Sequence, residues 1–547
     1  MTRMSVAISG SLVLLTFAWL QIGRWSPGHD DWHLTVADTA LPLRSMSLAF
    51  LALFLFGGLI GFFAYDRFKR AKTRKEQTAS TGWCIAAIAM FALVWPWTLS
   101  GPFGTLLQVM ANWSDVSNQY FSVAYEIDDA RAFTATYDEK WQDAPSRLQA
   151  HVATHPPGAV LFYYGARRAI EASPFLQDTF GALAEKLAND TLDNIAVNSN
   201  QMRESSFRSA GVRPSTRLPV AAVPAALWCN FLLTLALALT VPAVYIMASA
   251  GPNESGLAEA RGMVAALLFA LAPCVSFFAF TIDILIACGA AWALACTVLY
   301  FKNGNPFWIL ATGALLALTT FLSFGAMAAG VIVGLMVILT STVPPTKADN
   351  SSSQSAPADC QPQAPLPRFQ SLGKSLPKSL ALCAAGFLAM WTLIVIVFPM
   401  RLPAIFHNAM LAHGKATLGI RDYRWWVWLN LAFFLAFLGW PVAVGLVLRF
   451  WPASPVDIDL QWPALLRALG WAVVATILAL TLSGKVMGEV ERLWLFLVPP
   501  CCALAASALV QLPARKQSLL LWLSLIGLQV LQTVVLIRAL VPLVSPI

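Results

Sequence analysis

Four polar places stand out in this apolar chain because their side chains could move a proton or hold a phosphate. The first is "NWSDVSNQYFSVAYEIDD" (112–129), which follows an apolar segment. Asp115 lies where the chain leaves that segment, and a partly desolvated carboxylate has a raised pKa and can take a proton from an alcohol. The same residue could also be a solvated acid, or the cap of a helix that begins near Ser117. The sequence leaves these interpretations open.

The second place is "THPPG" (154–158), a stiff turn that contains a histidine. Proline is tolerated in the first turn of a helix, so Pro156 and Pro157 predict a helix over 158–171. The free N–H groups and dipole of that helix favour an anion, and His155 stands beside them as a hydrogen-bond donor or acid. A plain helix start with an exposed histidine is the alternative.

The third place is Asp283, within "FAFTIDILIACGA" between two apolar segments. An acid at membrane depth is costly unless it faces a cavity or lies at the interface, so Asp283 is a candidate binding residue. It could instead be an interfacial turn residue that caps the following helix.

The fourth place is "SGKVMGEVERLWLFLVPP" (483–500), which contains Glu489, Glu491 and Arg492. Glu489 and Arg492 are three residues apart and would share one face of a helix. An arginine there could bind a phosphate through two parallel hydrogen bonds. The alternative is an interfacial ion pair whose arginine snorkels to water.

Long apolar segments must position these four places. The chain has 547 residues, of which 58% are hydrophobic and 12% charged, against about 25% charged in an ordinary soluble domain. Apolar runs near the length that crosses a bilayer recur from end to end, which predicts an all-α polytopic membrane protein with about 13 transmembrane helices. The predicted spans are 5–23, 45–66, 82–101, 221–248, 262–281, 283–301, 306–322, 323–341, 380–399, 426–448, 466–483, 494–512 and 518–540.

Lysine and arginine in short loops orient the spans. The loop "RFKRAKTRK" (67–75) is strongly basic and is expected to be cytoplasmic, as is the N-terminus. Alternation then puts all four polar places on the extracytoplasmic side. Much of the net charge of +8 lies in such loops, so it does not indicate a nucleic-acid partner.

The chain divides into four predicted regions. A Ser-, Pro- and Gln-rich segment at 342–379 cannot bury enough apolar surface to offset its ordering entropy and is expected to be a disordered cytoplasmic linker. The large extracytoplasmic loop should carry amphipathic helices at 117–137, 158–174 and 180–198, which suit a membrane–water boundary. The regions are two extra N-terminal helices (1–81), a core (82–341) that includes the loop 102–220, the linker (342–379) and C-terminal helices (380–547).

Taken together, the four places resemble the GT-C superfamily of membrane glycosyltransferases, which use polyprenyl-phosphate sugar donors. "DVSNQY" (115–120) is similar to the acidic motif after an early span, although Val116 replaces the second acid. "THPPGAVLFYY" (154–164) resembles a Lys-Pro-Pro-Leu-like motif of the aminoarabinose transferases, with His155 in place of the lysine. "ERLWLFLVPP" (491–500) is similar to the late Arg-Tyr-x-x-x-Pro segment, whose arginine contacts the lipid phosphate in family members.

The resemblance implies sugar transfer from a polyprenyl phosphate to a hydroxyl of an unknown glycan, lipid or protein on the extracytoplasmic side. It makes Asp115 the catalytic base. It assigns the donor phosphate to Arg492, His155 and Gly158, and substrate binding to Tyr120, Asp283, Glu489 and Glu491. A bacterial inner membrane is the expected location.

Two other classes of protein and one cofactor question stay open at this stage. A transporter or lipid flippase would also be polytopic, but it should show mid-span acids and inverted repeats, and a noncatalytic membrane scaffold would explain the spans alone. A divalent metal is possible, because carboxylate oxygens are available near the first polar place. They belong to Asp115, Glu126, Asp128 and Asp129.

Overall fold

The computed structural model describes the chain in ten stretches. These are residues 2–22, 74–113, 119–141, 150–209, 217–250, 257–342, 376–417, 422–450, 464–510 and 518–539. Within these stretches the regular structure is helical and no strand occurs, so the all-α prediction is confirmed. The predicted span at 45–66 and the catalytic candidate Asp115 lie outside the described residues.

The first part of the chain combines two apolar helices with a layer of shorter ones. In order these are α1 (Thr2–Ile22), α2 (Arg74–Trp113), α3 (Gln119–Tyr125), α4 (Ala130–Ala135), α5 (Tyr137–Trp141), α6 (Ala150–Ala153), α7 (Gly158–Glu171), α8 (Pro174–Ala188) and α9 (Leu192–Ser209). The predicted helix at 117–137 is therefore three short helices. The predicted helix at 180–198 is interrupted at Asn189, which has a left-handed backbone that ends α8.

The remaining helices are predominantly apolar. They are α10 (Ala222–Ala248), α11 (Leu257–Ala270), α12 (Pro273–Phe277), α13 (Ile282–Asn303), α14 (Pro306–Leu322), α15 (Met327–Thr342), α16 (Leu376–Val397), α17 (Leu402–Thr417), α18 (Tyr423–Leu438), α19 (Trp440–Phe450), α20 (Ala464–Ser483), α21 (Val490–Leu493), α22 (Val498–Leu509) and α23 (Ser518–Ala539). Short 3₁₀ turns at Phe324–Ala326 and Leu495–Leu497 precede α15 and α22.

Six helical segments in the described part are long and apolar enough to cross a bilayer, or seven if one bent pair counts as a span. The six are Thr78–Leu99, Ala222–Ala248, Ile282–Asn303, Phe324–Ser341, Leu376–Val397 and Ala464–Ser483. Other predicted spans appear as shorter apolar helices, such as Pro306–Leu322. These helices indicate an integral membrane protein, and the predicted count of 13 spans is not confirmed within the described residues.

Two predicted spans are not continuous helices. The span at 262–281 breaks after Ala270, because Pro273 holds the residue before it in an extended conformation and starts a new helix. The span at 426–448 turns by 113° between α18 and α19 at Gly439, whose φ of 98° is accessible to glycine and rarely to other residues. Apolar composition did not reveal either break.

Two other boundaries bear on the predicted regions. The chain breaks at Ser323, which is extended between α14 and the following turn, as the predicted division at 322/323 requires. Helix α16 begins at Leu376, so the last residues of the predicted linker 342–379 are helical, and residues 343–375 lie outside the described part.

The buried apolar residues form two clusters. One lies among the long helices, and the other joins the short helices α3–α9 to the ends of α13, α14, α16 and α17. Helices α14 and α16 cross closely because Gly313 and Gly386 each face the backbone of the other helix. The layer of short helices is thus fixed on one end of the helical bundle, the end at which α13 begins.

Candidate functional site

The candidate site is centred on Arg492 in the short helix α21. Its Nη2 donates to Oε2 of Glu489 at 2.6 Å, and its Nε lies 3.8 Å from Oδ2 of Asp283. The three side chains are largely buried, with exposed fractions of 18%, 28% and 16%. Asp283 is in the first turn of α13, so the fold brings together two polar places that are far apart in the sequence.

The charges around Arg492 keep its guanidinium ionised. Burial disfavours the cation, but the neighbouring carboxylates of Glu489 and Asp283 outweigh that effect and raise the pKa of Arg492. The arginine is therefore a permanent positive charge enclosed by acids. A phosphate that binds it must compete with the carboxylate of Glu489.

Tyr120 and His155 extend the site into the layer of short helices. The Tyr120 ring lies 5.8 Å from the His155 ring in an edge-on arrangement. Burial raises the pKa of the Tyr120 hydroxyl, Asp283 raises it further, and Arg492 opposes the shift. Tyr120 therefore lies within electrostatic reach of the Asp283–Arg492 pair and keeps its proton, so it can donate a hydrogen bond.

Tyr137 stabilises the turn that contains His155. Its hydroxyl is within hydrogen-bond distance of the carbonyl oxygens of Val152 and His155, at 2.8 and 2.9 Å. Helix α7 then begins at Gly158, as predicted from the two prolines. The turn is thus a rigid element, and its position beside Tyr120 is fixed by buried contacts.

Gly158 has a packing role that the sequence did not reveal. A side chain there would overlap the backbone carbonyl of Phe321 in α14, because the two helices touch at this point. Close packing is sufficient reason for the glycine. The contact of Gly158 with a donor phosphate stays a prediction.

Glu491 is much less accessible than Glu489. Glu491 is 3% exposed, and its carboxylate lies within electrostatic reach of Arg492 and of Cys274 in α12. A carboxylate this deep is better placed to balance the charge of Arg492 than to touch a substrate. Its predicted role in substrate binding stays a prediction.

The loop before α21 has an unusual backbone. Gly484, Gly488 and Glu489 have positive φ angles of 61°, 84° and 56°. A left-handed conformation is uncommon for a residue with a side chain and is found preferentially at functional sites. It turns the chain so that Glu489 can reach Arg492.

Asn430 in α18 stabilises this loop, and sequence reasoning missed it. Its side-chain amide donates to the Val486 carbonyl at 2.6 Å, and its oxygen accepts the Gly488 N–H at 2.9 Å. Asn430 is 1% exposed. An asparagine inside "YRWWVWLNLAFFLAFL" was the available signal, since a polar residue in an apolar helix needs a partner.

Two of the residues proposed as metal ligands, Glu126 and Asp129, have other roles in the structure. Glu126 forms an ion pair with Lys140 at 3.8 Å, and Asp129 caps α4 by accepting the Arg131 N–H at 2.8 Å. Among the described residues no group of three or more His, Cys, Asp or Glu side chains is arranged to hold a metal ion. Asp115, the fourth candidate ligand, lies outside that part of the chain.

Asp115 precedes Tyr120 by five residues, so the chain can place it at most about 18 Å from Tyr120. The described site thus joins a permanent cation, two largely buried carboxylates, a protonated phenol and a histidine. A cation offers stabilisation for developing phosphate charge, and a carboxylate can accept a proton.

No protein-family model matches the chain, and no curated protein matches it significantly. The resemblance to the GT-C superfamily therefore depends on the short sequence motifs alone and stays a prediction.

Proposed function

We propose that this protein is a membrane glycosyltransferase that moves a sugar from a polyprenyl-phosphate donor to an acceptor hydroxyl. The observation that carries the proposal is the meeting of Tyr120, His155, Asp283 and Arg492 at one end of the helical bundle. These residues come from four segments that the motifs had singled out separately. The proposal includes a GT-C-like fold, a bacterial inner membrane and an extracytoplasmic site.

In the proposed reaction the acceptor oxygen attacks the anomeric carbon of the sugar. A new carbon–oxygen bond forms, the bond between that carbon and the phosphate oxygen breaks, and the polyprenyl phosphate leaves with the electron pair. The acceptor proton passes to a carboxylate, which we assign to Asp115. Arg492 stabilises the charge that grows on the departing phosphate, an effect worth roughly 3 kcal/mol for one preorganised contact.

The Glu489–Arg492 pair adds a step to donor binding. Because Glu489 already occupies Nη2 of Arg492, a phosphate that binds there displaces the Glu489 carboxylate or shares the guanidinium with it. A displaced carboxylate would be free to accept a hydrogen bond from the sugar or the acceptor. Glu489 and Asp283 are accordingly proposed to contact the substrates, with Tyr120 as a donor beside them.

The proposal is tested with the purified, folded protein and a panel of labelled polyprenyl-phosphate sugars. We expect one of them to release free polyprenyl phosphate in the presence of a hydroxyl acceptor. Asp115→Asn and Arg492→Ala should each abolish that release while leaving the protein folded and inserted. Arg131→Ala, at an exposed position in α4, is the matched control. Full activity of Asp115→Asn would remove the assignment of the base.

A transporter or lipid flippase is the second candidate, because α18 and α19 form a sharply broken pair such as transporters use to bind substrates and ions. In such sites, carbonyls freed by the break are open to the ion. Here two of those carbonyls are already occupied: Gln529 donates to Leu438 at 3.1 Å and Gln532 donates to Ala436 at 2.6 Å. These two carbonyl groups at the break are thus hydrogen-bonded within the protein and are not left open for an ion. This observation favours the transferase proposal over the transporter.

A further inference from the structure

Arg261, one turn into α11, is a buried cation whose nearby counter-charge, Glu259, forms no hydrogen bond with it in the described part of the chain. The residue is 5% exposed, and its Nε and Nη2 atoms are buried with no hydrogen-bond partner. No ion pair within 4 Å is formed by its guanidinium in the described part of the chain. A buried charge in a folded protein is normally paired and hydrogen-bonded, so the two unbonded nitrogen atoms of Arg261 are available to a further anionic partner.

The acid nearest in sequence does not fill that role. Glu259 is two residues from Arg261 on the same helix, and side chains at that spacing do not face each other. Glu259 lies within electrostatic reach of Arg261 and also of Lys302, in the last turn of α13. Two cations therefore share one carboxylate, and one positive charge is left over.

The position of this cluster indicates which anion would bind. Lys302 and Asp283 are at opposite ends of α13, a helix of 22 residues and therefore about 33 Å long. The cluster thus lies at the far end of the bundle from the candidate site. Trp83, near the start of the neighbouring helix α2, is 68% exposed there, as is typical of aromatic residues at a membrane–water boundary.

We propose that Arg261 and Lys302 bind the headgroup phosphate of an anionic phospholipid at this end of the bundle. A phospholipid places a single negative charge at headgroup depth, while its acyl chains cover the apolar surface of α2 and α10. Basic pockets between transmembrane helices bind anionic headgroups in this way. The site is independent of the glycosyltransferase proposal and would exist whatever reaction the opposite end performs.

The test measures lipid binding by the full chain, purified and delipidated in detergent. Phosphatidylglycerol, phosphatidylcholine and inorganic phosphate are each titrated, and binding is followed by native mass spectrometry and by thermal denaturation. We expect phosphatidylglycerol alone to bind and stabilise the protein. Arg261→Met should weaken that binding about tenfold, because a charge-assisted contact to the phosphate is lost. Arg131→Met, at the other end of the molecule, should not change it.

Lys302→Met provides a second test that does not depend on the folding of the Arg261 variant, because Lys302 is exposed at a helix end. It should weaken phosphatidylglycerol binding several-fold. Unchanged binding in both variants would overturn the proposal. Equal stabilisation of the unaltered protein by inorganic phosphate would overturn the assignment to a lipid.

Discussion

Two buried arginines lie toward opposite ends of the same helical bundle, and their surroundings differ. Arg492 donates to Glu489 at 2.6 Å and lies 3.8 Å from Asp283, and only its Nε is buried without a hydrogen bond. Arg261 has two such nitrogen atoms, and Glu259 acts on it without a close ion pair in the described part of the chain. The first is neutralised before any ligand arrives, and a ligand must displace an acid. The second is incomplete until a ligand arrives. The difference suggests exchange of substrates at one end and a lasting structural ligand at the other.

The sharpest test of this comparison is to replace each arginine by methionine and measure unfolding in detergent without anionic lipid. Arg492→Met leaves the carboxylates of Glu489 and Asp283 without a cation and should lower the free energy of unfolding by about 3 kcal/mol. Arg261→Met removes a buried charge that lacks a close ion pair in the described part of the chain, and it should be neutral or stabilising by about 1 kcal/mol. Destabilisation of similar size in both variants would mean that the two ends do not differ in this way.

The rigidity of the end of the bundle that carries the short helices can be tested at Gly158. Gly158→Ala forces a methyl group against the Phe321 carbonyl and should lower the free energy of unfolding by about 2 kcal/mol. Gly165→Ala is the matched control, because it lies in the same helix with nothing within 4 Å of the added carbon. The control should stabilise the protein by up to about 1 kcal/mol. Equal effects of the two substitutions would show that α7 is not fixed against α14.

The loop of Glu489 offers a more local test. Asn430→Ala leaves the Val486 carbonyl and the Gly488 N–H without their partner, which should lower the free energy of unfolding by about 2 kcal/mol. Asn430 touches no proposed substrate, so we regard it as a positioning residue. Its specific readout is faster amide hydrogen exchange confined to residues 484–490, together with slower sugar transfer. An unchanged exchange rate in that segment would contradict the positioning role.

The smallest expected effect is at Glu489 itself. Glu489→Gln removes the charge that competes with phosphate for Arg492, so the donor should bind more tightly, by about tenfold or ~1.4 kcal/mol. Binding is measured with a non-hydrolysable analogue of the polyprenyl-phosphate sugar, with Glu185→Gln in α8 as the control for loss of a remote carboxylate. Weaker donor binding in Glu489→Gln would show that the carboxylate helps to hold the donor rather than competing with it.

Much of the local structure could be predicted from the sequence. The two prolines after His155 correctly predicted a helix that begins at Gly158, and continuous apolar runs predicted α10, α13, α16 and α20 to within a few residues. These features depend on residues that are neighbours in the sequence, so a short sequence segment is enough to predict where each helix lies. The bends at Ala272 and Gly439 escaped the same reasoning, because composition alone does not report the backbone angle of one residue.

The site was only partly predictable, for a related reason. The types and spacing of Asp283, Glu489 and Arg492 marked them as candidates. Which of these side chains contact one another did not follow from the sequence. Asn430 was missed, because its importance comes from two hydrogen bonds to a loop more than fifty residues away.

The sequence by itself determined that the chain is helical and apolar enough to cross a membrane, because those properties add up along short segments. Tertiary structure alone decided that Arg492 meets Asp283, while two buried nitrogen atoms of Arg261 are left without a hydrogen bond. Electrostatic pairing depends on distances of a few ångströms between distant segments, and only the packing of the helices sets those distances.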